Sequence, residues 1–122
     1  MLKKTLSIRI RRRIVVLPMK EILFMEKKKR QIVLHASEGE YLFYGRFREI
    51  MDDLDIRFAW CHRSYILNMD RIAAMGEGVI RLDDGTELVF GKEAYGRLRE
   101  TYDRYLAWKS DMYKARRQKL KQ

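Results

Sequence analysis

Phe58-Ala59-Trp60-Cys61-His62-Arg63-Ser64-Tyr65-Ile66-Leu67-Asn68 sets two short apolar and aromatic triplets on either side of a polar connection. Phe58 to Trp60 and Tyr65 to Leu67 are too short for helices and rich in strand-forming types, so the stretch reads as two short strands around Cys61–Ser64. The same grammar continues outward. Downstream, Val79-Ile80-Arg81-Leu82, the turn Asp83-Asp84-Gly85 and Thr86-Glu87-Leu88-Val89-Phe90 predict a hairpin. Upstream, Leu6-Ser7-Ile8-Arg9-Ile10 alternates with period two, and Ile14-Val15-Val16-Leu17 is β-branched and stopped by Pro18. Glu21 to Glu26, Gln31 to His35 and Tyr41 to Tyr44 read as further strands, the last after the turn Ser37–Glu40. Two segments have helical spacing instead. Arg46 to Leu54 places Phe47, Ile50, Met51 and Leu54 on one face. Glu93 to about Lys119 carries a stripe running from Tyr95 and Leu98 to Met112 and Tyr113. The fold class expected is mostly β, a sandwich of short antiparallel strands with one short internal helix and one C-terminal helix.

The 122 residues suffice for one domain, and 47% are apolar, enough for a packed core. The lone cysteine excludes a disulfide framework and a cysteine-based zinc site. The unbroken apolar runs are far too short to span a bilayer, and no signal-peptide core follows Lys3 and Lys4, so a soluble, cytoplasmic protein is expected. The net charge is +10 and unevenly placed. Residues 1–36 carry a net +9 and residues 101–122 a net +5, while the middle is slightly acidic. Basic ends of this kind point to a polyanionic partner. Arg11-Arg12-Arg13 and Lys27-Lys28-Lys29-Arg30 each fall between strands, where loops can reach phosphates while a sheet holds them.

Nothing in the chain arranges catalytic chemistry. Cys61 and His62 are adjacent, so a strand would send them to opposite faces. No nucleophile elbow surrounds Ser64, no ligand spacing gathers metal donors around His35, and the glycines sit at turns rather than in a phosphate loop. No enzyme, metal, cofactor or small-molecule substrate is expected. Cys61 reads as a small buried apolar residue, with a redox role as the alternative.

The run FAWCHRSYILN from Phe58 to Asn68 resembles the signature of the LytTR family of bacterial DNA-binding domains. Its flanks agree in order: Glu21–Glu26 resembles the family's opening core strand, Tyr44–Ile50 the segment entering its short helix, and Ile80–Leu88 its late hairpin. The likeness runs from about residue 15 to about 100. It implies an elongated, sandwich-like stack of short antiparallel strands. It further implies a bacterial transcription regulator that presents loops to successive grooves of direct-repeat promoter sites. Base-reading positions carried over by the resemblance are Arg30, Arg63 and Lys92, the last replacing a usual arginine. The resemblance gives His62 a loop-supporting role, and Asn68 is expected to serve the turn that follows it. Phosphate contacts are expected from Arg11, Arg12, Arg13, Lys27, Lys28 and Lys29. An ion pair with Asp70 is the competing role for Arg63.

Residues 1–100 are thus expected to form the DNA-binding domain and 101–122 a basic helical extension. The given chain has no room for the receiver domain many members carry, so a stand-alone module is expected. Tyr95, Leu98 and Tyr102 should pack on the domain. Tyr105, Trp108, Met112 and Tyr113 have no evident core to meet and would serve self-association or a regulatory protein. The rival function is a protein-interaction or antagonist module with weak nonspecific DNA binding. Single-strand or RNA binding through exposed aromatics is a second rival.

Overall fold

The computed structural model describes residues 2–121, with side chains through residue 119. In chain order it comprises β1 (Thr5–Ile10), β2 (Arg13–Pro18), β3 (Ile22–Lys28), β4 (Gln31–Ala36), β5 (Gly39–Tyr44), α1 (Phe47–Met51), β6 (Phe58–His62), β7 (Tyr65–Asn68), β8 (Ile72–Gly76), β9 (Val79–Leu82), β10 (Glu87–Val89) and α2 (Lys92–Lys121). Single 3-10 turns at Met19–Glu21 and Met69–Arg71 lead into β3 and β8. The mostly β expectation holds, and the strands form three antiparallel sheets. A two-stranded ribbon β1-β2 and a three-stranded sheet β10-β9-β8 accompany a central sheet ordered β5-β4-β3-β7-β6.

The central sheet is buried on both faces, which is why β3 opens with the unbroken apolar run Ile22-Leu23-Phe24-Met25. Met25 and Ile66 pair across β3 and β7 and face one core with Leu6, Ile8 and Phe47. Their neighbours Phe24 and Leu67 pair on the opposite face and join Ile80, Leu82 and Leu98 in a second core. Burying each such large side chain stabilises the fold by about 1.5–3 kcal/mol.

Asn68 lies fully buried where the layers meet. Its amide donates to the Ile22 carbonyl at 2.7 Å, and its oxygen accepts from the Asp70 N–H at 3.0 Å. A single side chain thus fixes both the turn after β7 and the start of β3. Arg71 clasps the second and third sheets by donating to the Lys20 carbonyl at 2.9 Å and pairing with Asp83 at 2.9 Å.

The structure departs from the sequence reading in three places. The strand β8 was not anticipated. Internal helix α1 ends at Met51, and Leu54 reaches the core from the turn beyond it. Tyr105 and Trp108 do have a core to meet: Tyr105 is 3% exposed, and Trp108 packs partly buried beside it at a ring separation of 5.8 Å. α2 continues unbroken past residue 100, and there Tyr105 joins the second core and bonds Asp70 through its hydroxyl.

Candidate nucleic-acid interface

Strand direction brings the sequence-predicted loops to one end of the central sheet. β3 runs from Ile22 to Lys28 and turns back into β4 through Lys29-Arg30, with Lys28 opposite Gln31. β7 runs antiparallel to β3, so its entry turn Arg63-Ser64 lies beside the same end. The Lys27 N–H donates to the Ser64 carbonyl there at 2.8 Å.

His62 links this end to the start of α2. Its Nδ1 accepts from the Ser64 N–H at 3.0 Å, which closes the turn carrying Arg63. The same ring stacks on Phe90 at 5.8 Å and 7°. Phe90 immediately precedes Gly91-Lys92, so one imidazole contacts both the turn carrying Arg63 and the segment leading to Lys92.

Three adjoining hollows make this end a continuous surface. The first is lined by Lys29, Arg30 and Arg46, the second by Arg46, Arg48 and Arg63, and the third by Arg63, Lys92 and Arg97. Arg46 and Arg63 each belong to two hollows, so Arg30, Arg63 and Lys92 share one basic face. All three are exposed. Among the described residues Arg63 forms no ion pair, and Asp70 is engaged elsewhere by Tyr105 at 2.7 Å and Lys109 at 2.9 Å.

The phosphate candidates fall into two groups. Lys28 and Lys29 are exposed on the hairpin beside Arg30. Lys27 is turned partly inward, where its ammonium donates to the Gly45 carbonyl at 2.9 Å and lies 6.0 Å from the Phe47 ring centre. Arg11 and Arg12 form the tight tip of the β1-β2 ribbon, with Ile10 opposite Arg13. These three arginines are exposed but line none of the three hollows. Arg11 at φ 56° and Lys29 at φ 59° occupy the left-handed region, an unusual conformation for non-glycine residues. Both strained positions therefore present a cation at a hairpin tip.

Sequence reading missed Arg46, Arg48 and Arg97. Their common signal is a lone arginine next to a buried apolar position, Phe47 or Leu98, which fixes the direction in which the arginine points. Cys61 is buried in the second core, and burial pushes its thiol up to about 12.

The chain is thus a small, mostly β module that gathers basic turns on one face. The family model for the LytTr DNA-binding domain matches residues 12–103, and the chain belongs to that family. Among solved structures it resembles the LytTr DNA-binding domain of a protein described as a methyl-accepting/DNA response regulator from Bacillus cereus. That likeness has a TM-score of 0.68 at 19% identity and covers 81% of this chain and 96% of the other. No curated protein is recognisably similar in sequence.

Proposed function

We propose that this DNA-binding domain recognises specific duplex sites in bacterial promoters and regulates transcription from them, in the cytoplasm. The observation that carries the reading is the continuous basic face on which Arg30, Arg63 and Lys92 stand at successive turns. Turns spaced along one face suit successive grooves better than a single deep insertion, and this supports reading of repeated elements. Arg30 and Arg63 have the fork geometry that matches guanine O6 and N7 in a major groove. Lys92 offers a point charge and suits a phosphate better than a base edge. Lys28, Lys29 and the ribbon tip Arg11–Arg13 supply backbone contacts, Lys27 and His62 hold the basic turns in place, and Asn68 braces the turn at the other end of β7.

Replacing Arg63 with alanine tests this reading. Arg63 is exposed and has no partner among the described residues, so folding stability should change by less than about 0.5 kcal/mol. Discrimination between the preferred duplex and a scrambled one should fall by about 1–3 kcal/mol, roughly fivefold to 150-fold. Unchanged discrimination would instead favour a protein-interaction module whose DNA binding is electrostatic.

A further inference from the structure

The C-terminal part of α2 lies at the end of the molecule away from the basic turns. α2 starts beside His62 and Arg63 and runs along the central sheet to the Met69–Arg71 turn, where Tyr105 and Lys109 bond Asp70. Helix continues from there to Lys121, about 18 Å at 1.5 Å per residue. This stretch extends past residue 103, where the family match ends. Trp108, Met112 and Tyr113 form an apolar groove with Leu2, edged by Lys109 and Arg116. Met112 is 44% and Tyr113 64% exposed, with the Arg117 guanidinium 6.0 Å from the Tyr113 ring centre.

Charge selects the occupant. Residues 109–119 hold five basic side chains and one acidic one. A second copy would set two such segments together and meet strong repulsion. Duplex DNA would satisfy the charge but leaves the apolar groove unused. A groove also suits inserted side chains better than a lipid surface, which favours a protruding apolar face. We propose that this groove docks an acidic amphipathic helix of a partner protein, whose leucine-type side chains enter between Leu2 and Met112 while its carboxylates meet Arg116. Partner binding would then take place away from the DNA-reading turns, so one domain could hold both at once.

The test uses the full chain and a synthetic helix of about 18 residues with leucines at i, i+3, i+4 and i+7 and glutamates elsewhere. Binding is followed by fluorescence anisotropy of the labelled peptide. Saturable binding is expected, weakened about tenfold or more by Met112→Glu and by Arg116→Glu. Both positions are exposed, so the melting temperature should hold, and binding to duplex DNA should be unchanged by Met112→Glu. A same-charge peptide with serine for leucine should not bind. Equal binding of the serine peptide, or none of the leucine peptide, overturns the proposal. So does a dimer in sedimentation that Met112→Glu dissolves, or capture by phosphatidylglycerol vesicles that the same variant abolishes.

Discussion

Replacing Arg57 with alanine strands a carboxylate inside the fold. Arg57 is 6% exposed, and its guanidinium grips Asp55 through Nε at 2.9 Å and Nη2 at 2.7 Å. Nη2 also donates to the Lys3 carbonyl, and Asp55 accepts from the Lys3 N–H at 2.8 Å. The pair thus anchors the chain entering β1 to the segment entering β6. With Arg57 gone, Asp55 keeps backbone donors but loses its counter-charge in a desolvated site. Breaking one partner of such a buried pair costs about 3–5 kcal/mol, a large share of the roughly 5–15 kcal/mol that holds a domain folded. Replacing both residues with apolar ones should recover much of that loss, since the isolated charge is what costs most. Urea denaturation of the wild type, Arg57→Ala, and the double variant Asp55→Leu/Arg57→Leu measures all three. A loss below about 1 kcal/mol for the single variant, or a double variant worse than the single, would refute the reasoning. The same pair sets an acid limit. Burial acts to raise the Asp55 carboxyl, but the hydrogen bonds from Arg57 and Lys3 outweigh it and hold its pKa below 3.8. Its stabilising contribution is therefore complete above the unfolded value near 3.8 and disappears as pH falls through the lower folded value.

Other expectations follow from single positions. Asn68→Ala removes bonds to the Ile22 carbonyl and the Asp70 N–H in a fully buried site. It should cost about 2–4 kcal/mol in urea denaturation, and a change under 0.5 kcal/mol would contradict that role. Lys29→Gly relieves the left-handed backbone at φ 59° and should stabilise the fold by about 1 kcal/mol, with a lower melting temperature as the opposing result. The buried Cys61 thiol, held up to about 12, should react with iodoacetamide at pH 8 far more slowly in the folded chain than in urea. Equal rates would place Cys61 at the surface.

Several strands were legible because they are half-buried and alternate. Leu6 and Ile8 face the core while Ser7 and Arg9 face solvent, as period-two reading requires. β8 escaped because Ala73 and Ala74 are exposed and carry neither bulk nor polarity to mark a face. The division of the stack into three sheets could not be read from the sequence, since burial of β3 on both faces erases alternation. For the candidate site, the clustered residues Lys28-Lys29-Arg30 and the turn at Arg63 were visible as runs or as a motif. Arg46, Arg48 and Arg97 are scattered singly along the chain, and only the fold brings them to that face. Tyr105 looked unpartnered because its hydroxyl partner, Asp70, lies 35 residues earlier.

Binding to a library of duplex promoter fragments, at physiological salt with excess nonspecific competitor, bears most directly on the role of the basic face. Retention of a few fragments that share a repeated element is the expected result, and that selection should fade in Arg30→Ala and Arg63→Ala. Uniform binding to every fragment, released together as salt rises, would contradict specific recognition and leave the face with electrostatic attraction alone.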